Sequence, residues 1–375
     1  MTSVLTVGLY QSGDAGFGMD FEYLHLFVNN AEIWRDWFIN TLDFCPLSDQ
    51  IWQEFGEFAV QHDRILILLS SAQSGRPEVQ QFLQRYSEGV GDVAFRVRDL
   101  DAIATRLQTL GEKLSQPIRS LKTAAGQLRW CRVRSWGGLS HTLIERTAPL
   151  SPVTDSLAAG QSRHTWLKID HTVLNVPVGE LTAAATWYEQ CLGFTTKQNF
   201  VIETPRSGLR SLVMQHPDGD ATLPINEPTS DNSQIQEFLT QHRGAGVQHA
   251  ALKTLDLVQT VAQLKQRDVN FLSVPQSYYV QLAERPGFWR DAGDWPEIAQ
   301  QQILVDWPAA EPQIRLLQTF TEPLFDRPTF FWEFIERQSF QTPEGIKQAN
   351  GFGEGNFQAL FEAIEREQQL RGSLE

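Results

Sequence analysis

Short runs of alternating apolar and polar residues, each leading into a stretch with apolar positions three and four apart, recur along the chain in an order that appears twice. Asp20–Ala31 (DFEYLHLFVNNA) and Lys168–Gly179 (KIDHTVLNVPVG) are strand patterns running into a helix that bears an aromatic pair, Trp37-Phe38 in the first and Trp187-Tyr188 in the second. Gly89–Leu107 (GVGDVAFRVRDLDAIATRL) pairs with Gly246–Leu264 (GVQHAALKTLDLVQTVAQL), and Ser140–Arg146 (SHTLIER) with Phe331–Arg337 (FWEFIER). Strands interleaved with helices in this order predict a βαβββ unit, two per half of the chain. The expected fold class is therefore α+β: two tandem domains of paired βαβββ modules, each an open β-barrel with outer helices, plus a C-terminal helix closing the second barrel. Residues 1–18 read as an N-terminal arm, 19–150 as the first domain, 151–165 as a linker rich in Pro, Ser, Thr and Gly, and 166–375 as the second domain.

The sharpest local geometry lies at Leu209–Glu227, where two alternating strands flank Pro217-Asp218-Gly219. Asp-Gly is a strong signal for a two-residue hairpin loop. A loop at Asp218-Gly219 sets Ser211 across from Asn226 and Val213 across from Pro224. Two polar side chains then stand about 5 Å apart at Cβ on one sheet face. Further on, Gly351–Phe357 (GFGEGNF) precedes Leu360, Phe361 and Ile364 at helix spacing. No Gly-Lys-Ser/Thr follows these glycines, so they are not a nucleotide loop. The expectation is a terminal helix closing over a pocket with Phe352 and Phe357 as inward rings.

Composition narrows the class. The 375 residues, 41% hydrophobic and 20% charged, suit two globular domains. No run of about 18 apolar residues predicts a membrane span, and the start lacks the pattern of a secretory signal. A net charge of −14 argues against nucleic acid and anionic lipid as partners. It leaves a small anionic substrate open, because a metal supplies its own positive charge. Cys45, Cys131 and Cys191 are odd in number and scattered, which points to a reducing, cytoplasmic setting.

Laying the two copies on each other puts Tyr23 opposite His171, Asp92 opposite His249 and Thr142 opposite Glu333. Only the second set is metal-competent. Of the other histidines, His62, His141, His164, His216 and His242 read as solvent-facing, and His25 has no evident partner. His171 and His249 each sit mid-strand in an apolar run. Glu333 lies among Phe330, Phe331, Trp332, Phe334 and Ile335. A carboxylate buried there costs several kcal/mol or more unless it is protonated, paired with Arg or bound to a metal. Strand alternation puts all three on apolar faces. Two imidazoles and one carboxylate are the facial set of non-haem Fe(II) enzymes, and His₂Glu is also a catalytic zinc set.

These segments resemble the 4-hydroxyphenylpyruvate dioxygenases of the vicinal-oxygen-chelate superfamily. The resemblance rests on Ile169-Asp170-His171, Ser207–Gln215 (SGLRSLVMQ), Leu223–Pro228 (LPINEP), Ser233–Gln236, Gly244–His249, Leu317–Pro323 (LQTFTEP), Arg327–Arg337 and Gly351–Phe357, in order along the second half. It implies Fe(II) held by His171, His249 and Glu333. It also implies a polar network of Ser211, Asn226 and Gln234 near the substrate phenol, a pocket position for Gln318, and ring-holding aromatics at Phe320, Phe331, Phe352 and Phe357. The implied reaction takes 4-hydroxyphenylpyruvate and O2 to homogentisate and CO2 in a homodimer or homotetramer. Two alternatives stand beside it: 4-hydroxymandelate synthesis on the same site, where an apolar residue tends to replace Asn226, and a non-catalytic binding protein on the same fold. Strict alternation turns Gln248 away from the face of His249. Trp332 and Glu336 depart from the family pattern, and alternation puts both on the face opposite Glu333.

Overall fold

The computed structural model describes residues 18–47, 50–123, 126–147, 166–203, 207–288, 295–342 and 345–357, with positions 359 and 369. The expected arm up to residue 17, the linker 151–165 and the helix-spaced Leu360, Phe361 and Ile364 lie outside the described residues.

The first sheet is built from β1 (Asp20–Phe27), β2 (Cys45–Pro46), β3 (Phe58–His62), β4 (Ile65–Ser70), β5 (Gly89–Arg96), β6 (Leu114–Thr123), β7 (Gly126–Arg134) and β8 (Ser140–Arg146). The second uses β9 (Trp166–Asn175), β10 (Thr195–Glu203), β11 (Gly208–Gln215), β12 (Thr222–Pro228), β13 (Gly246–Thr254), β14 (Leu304–Asp306), β15 (Leu316–Phe320) and β16 (Phe331–Arg337). The orders are β2-β3-β4-β1-β5-β8-β7-β6 and β10-β11-β12-β9-β13-β16-β15-β14, the same permutation twice. Each sheet is two four-stranded units of one topology meeting at an antiparallel seam, β1 against β5 and β9 against β13. Four βαβββ modules in two tandem domains are thus present, as the repeat predicted.

Helices α1 (Ala31–Leu42), α2 (Gln50–Gln53), α3 (Pro77–Arg85), α4 (Leu100–Thr109), α5 (Leu181–Leu192), α6 (Gln234–His242) and α7 (Leu257–Gln266) cover the sheets, followed by α8 (Gln276–Leu282) and α9 (Trp295–Gln301). The duplication reaches the caps. Asp99 starts α4 and Asp256 starts α7, each accepting from the backbone N–H three residues on, Ala102 and Gln259, at 2.9 Å. Such caps satisfy amides that the first helical turn leaves free, worth about 1 kcal/mol each.

One hydrophobic cluster runs through both domains, joining Phe38, Phe95 and Leu143 to Tyr188, Phe194 and Trp332. Several histidines expected at the surface belong to this interior. His141 is fully buried between the Val93 carbonyl (2.9 Å) and the Tyr188 hydroxyl (2.8 Å). His242 is buried and stacked between Tyr86 and Phe238, with ring centroids 5.4 and 5.1 Å away. His25 does have a partner, the Ser70 hydroxyl at 2.9 Å. His141 and His242 face another module, which local polarity in the sequence does not reveal.

The β11–β12 register sets Ser211 opposite Asn226 and Val213 opposite Pro224, as expected. The loop is wider than two residues: His216 donates to Ala221 across it. Backbone from the first domain forces this opening. Ala221 donates to the Met19 carbonyl, and the Asp220 amide to Asp20 Oδ1 at 2.9 Å. Gly219 lies so close to Met19 that a Cβ would fall 2.3 Å from its carbonyl oxygen.

Candidate metal centre

Strand β13 lies between β9 and β16, and this order assembles the three side chains. Ala251 on β13 pairs with His171 on one side and with Glu333 on the other. His171 and Glu333 thus start two strand spacings apart, about 10 Å, and meet above the small side chain of Ala251. His249 projects from the same strand two residues earlier. The ligand atoms of all three lie within 4.8 Å of one another. His171 Nε2 stands 3.0 Å and His249 Nε2 3.6 Å from Glu333 Oε2. Two donors at about 2.1 Å from one ion, at right angles to each other, are separated by about 3 Å, so these residues fit a cation.

Hydrogen bonds orient His171 and Glu333. His171 Nδ1 donates to Asp170 Oδ2 at 3.0 Å, which leaves Nε2 as the ligand atom. Arg337 grips both Asp170 oxygens, Nε at 2.8 Å and a terminal nitrogen at 2.7 Å. Its other terminal nitrogen donates to the carbonyls of Ala349 (3.2 Å) and Gly351 (2.9 Å). Gln318 Nε2 donates to Glu333 Oε1 at 2.9 Å and to the Phe352 carbonyl at 3.0 Å. Asn356 Nδ2 donates to Gln318 Oε1 at 3.0 Å and is itself fixed by the Tyr278 hydroxyl at 2.7 Å. Gly353 fits against Gln318 because it lacks a Cβ, which would fall 1.9 Å from Oε1; its φ of +76° also favours glycine.

Electrostatics follow from burial and these neighbours. Burial pushes the His171 imidazolium down, but the Glu333 and Asp170 carboxylates outweigh it and hold the group up to about 9. Burial, with His171 adding to it, keeps His249 well below the usual imidazole range. Burial alone would raise the Asp170 carboxyl; Arg337 and His171 hold it well below the usual carboxylate range.

The three side chains line one cavity, together with all the residues that the sequence assigned to the substrate: Ser211, Asn226, Gln234, Gln318, Phe320, Phe331, Phe352 and Phe357. Phe331 stacks on His249 (4.8 Å, 16°), and Phe352 meets His171 edge-on at 5.3 Å. Phe357 closes against Phe200 at 5.1 Å. Asn226 Nδ2 reaches Asn175 Oδ1 at 3.4 Å. Gln234 Oε1 is buried with no hydrogen-bond partner among the described residues. Such an atom inside a cavity suits a donor brought by a ligand.

Gln248 also lines the cavity, against the expectation from alternation. A register shift between Val247 and His249 breaks the period of two there, as β-bulges do beside functional sites. The departures at Trp332 and Glu336 do face away from the cavity. Trp332 is fully buried against Phe38 (5.9 Å) and Phe330 (5.1 Å), and Glu336 accepts from the Leu257 amide at the start of α7 at 2.8 Å. Sequence reading missed Asp170, Arg337, Asn356 and Phe200. A signal for the first two existed, because the same positions of the first copy carry Glu22 and Arg146, paired at 2.9 Å.

The segment 168–285 matches the Glyoxalase/Bleomycin resistance protein/Dioxygenase superfamily. Over nearly the whole chain the sequence is similar to 4-hydroxyphenylpyruvate dioxygenase of Caenorhabditis elegans, 34% identical with 96% of this chain and 95% of that protein covered. It is likewise similar to the Danio rerio enzyme of that name, 31% identical with 100% and 96% covered. Among solved structures, a mutant of 4-hydroxymandelate synthase from Streptomyces coelicolor superposes with a TM-score of 0.78 at 25% identity, covering 94% of this chain and 99% of that one.

Proposed function

The chain belongs to the 4-hydroxyphenylpyruvate dioxygenase family, and from that premise we propose that it converts 4-hydroxyphenylpyruvate and O2 to homogentisate and CO2, with Fe(II) held by His171, His249 and Glu333. One observation carries the reading: a single cavity joins an ion-competent His-His-Glu set, aromatic walls and buried polar atoms on the flanking strands.

Bound at the three ligands, Fe(II) supplies a Lewis-acid and redox centre for a 2-keto acid and O2. The chain's own residues do the rest. Asp170 fixes the His171 tautomer, and Gln318 holds Glu333 Oε1 so that Oε2 faces both imidazoles. Ser211 and Asn226 lie on β11 and β12, two strands and one strand from β9, and Gln234 opens α6 beside them. Asn226 pairs with Asn175, four residues along β9 from His171, a position suited to hold the far end of a para-substituted ring. The Gln234 amide oxygen accepts a hydrogen bond from the phenol hydroxyl there, and Asn226 keeps its orientation through Asn175. Phe320 and Phe331 on one side and Phe352 and Phe357 on the other confine the ring and exclude water. The substrate carries its own 2-keto acid, so no separate keto-acid co-substrate is required. Its carboxylate leaves as CO2, one oxygen atom completes the new carboxylate, and the other becomes the ring hydroxyl as the side chain moves to the neighbouring carbon.

Incubation of the protein with Fe(II), O2 and 4-hydroxyphenylpyruvate should release homogentisate and CO2 in equal amounts. The likeness to a 4-hydroxymandelate synthase favours that sister reaction as the second reading. A product that is mainly 4-hydroxymandelate would establish it, and no turnover by iron-loaded protein would refute both. The reading includes a cytoplasmic homodimer or homotetramer, in line with three free cysteines, and light scattering on the purified protein tests the assembly.

A further inference from the structure

Glu333 takes its hydrogen bond from a side-chain amide, and an amide can lie either way round. With Nε2 inward, Gln318 donates to Glu333 Oε1 at 2.9 Å and to the Phe352 carbonyl at 3.0 Å. Turned over, it would set its own oxygen against a carboxylate and a carbonyl, with no proton among the three. The outer atom, Gln318 Oε1, meets Asn356 Nδ2 at 3.0 Å.

Asn356 poses the same choice one step further out. Its Oδ1 lies 2.7 Å from the Tyr278 hydroxyl on α8. That hydroxyl has one hydrogen to give. The Val305 amide on edge strand β14 donates to the hydroxyl oxygen at 2.8 Å, and the Val305 carbonyl stands 3.1 Å away. Asn356 Oδ1 is therefore the nearer acceptor for the hydrogen. A backbone N–H cannot turn over, so it sets the direction at this end. The acceptors Glu333 and Phe352 set the same direction at the other. Polarity runs one way, from Val305 through Tyr278, Asn356 and Gln318 to Glu333. Each side chain on the route is buried, at 9% exposure or less, where a broken link is costly.

We propose that Tyr278 and Asn356 are positioning residues for Glu333: acting through Gln318, they fix which way its amide lies and so leave Glu333 Oε2 for the metal. The inference rests on the metal reading above and adds two residues that stand outside the ligand set. It also ties the cavity wall to the ligand, because Phe352 and Asn356 belong to one segment and both bond the Gln318 side chain.

The test measures Co(II) affinity of the full-length protein by chelator competition, with the visible spectrum of the bound ion as a second readout. Asn356→Asp keeps the shape but offers only acceptors, so Gln318 must turn its nitrogen outward and its oxygen onto Glu333. Co(II) affinity should fall about 10- to 100-fold, with a changed spectrum. Tyr278→Phe removes only the hydroxyl and should cost less, about threefold or more. Tyr279→Phe is the matched control: its buried hydroxyl donates to the Ile303 carbonyl at 3.1 Å, off the route, and its loss should leave affinity and spectrum as in the parent. His249→Ala separates the two levels of the argument. If it abolishes Co(II) binding while Asn356→Asp and Tyr278→Phe bind within twofold of the parent, the metal site stands and the positioning role is refuted. Equal losses in Tyr278→Phe and Tyr279→Phe would also refute it, as an effect of packing alone. Parent-like binding by His249→Ala would overturn the metal reading, and this inference with it. Should Asn356→Asp fail to fold, the comparison of the two tyrosine variants decides.

Discussion

Removing the Arg337 guanidinium should loosen a metal ligand that it never touches. Arg337 and Asp170 are an ion pair with side chains only 12% and 5% exposed, and Asp170 is what fixes His171 Nδ1. Arg337→Met leaves the carboxylate with one donor, and breaking a buried pair from one side costs about 3–5 kcal/mol. Loss of the group that orients a ligating imidazole typically lowers metal affinity about 10- to 100-fold. The fold supplies its own control in the first copy, where Arg146 pairs with Glu22 at 2.9 Å with side chains 10% and 1% exposed. Arg146→Met should lower stability similarly and leave metal affinity unchanged, because no ligand stands beside it. Chelator competition gives the metal dissociation constant, and denaturant unfolding of the metal-free protein gives stability. Arg337→Lys keeps the charge but not the two-pronged grip, and should fall between parent and Met variant. If Arg337→Met unfolds as easily as Arg146→Met yet binds metal within twofold of the parent, Arg337 is scaffold only and the orienting role is refuted.

Three further outcomes follow from particular contacts. Ala251→Leu inserts a side chain where His171 and Glu333 meet, and should abolish stoichiometric metal binding in a folded protein; retained binding in an equilibrium dialysis would show that the pair does not need the gap. Asn226→Leu should leave CO2 release largely intact while lowering the yield of homogentisate per CO2, and an unchanged ratio by chromatography of the products would remove Asn226 from the ring-holding role. Burial depresses His141 to about 4, so the folded chain keeps it neutral at a pH where the unfolded chain protonates it. With an unfolded value near 6.5, its contribution is whole above about pH 6.5 and is lost as pH falls toward 4, about 3 kcal/mol in all. His141→Gln should therefore flatten the acid limb of the stability profile, and parallel limbs in parent and variant would refute this.

The repeat made the topology readable because the strand and helix patterns recur in one order, with an aromatic pair in both α1 and α5. It also singled out the His-His-Glu set that the structure brings together, since only one copy carries it. The hairpin register of Ser211 and Asn226 followed from alternation plus a turn signal, although Met19 of the other domain widens the loop. What escaped was whatever a partner element decides. His141 and His242 sit in polar sequence, and only packing against Tyr188, Tyr86 and Phe238 buries them. Gln248 entered the cavity through a bulge, which alternation cannot foresee. Asn356 acts through Gln318 from a glycine-rich stretch with no pattern of its own.

The metal-free half is not a passive duplicate, and the interface shows why. Trp332 and His141 occupy the same position of the repeat, on the outward faces of β16 and β8. Each is met by the aromatic pair of the opposite domain: Phe38 from α1 packs on Trp332 at 5.9 Å, and the Tyr188 hydroxyl from α5 bonds His141 at 2.8 Å. The arrangement is reciprocal at the helix ends as well. Arg267, just past α7, donates to the Thr41 carbonyl at the end of α1 at 2.8 Å, and Arg106 of α4 to the Glu189 carbonyl of α5 at 3.0 Å. Glu333 is the neighbour of Trp332, so the strand that presents the carboxylate ligand is backed by a helix of the other domain. The first copy carries no His-His-Glu set and still supplies this backing, so it acts on the candidate metal centre through the position of β16.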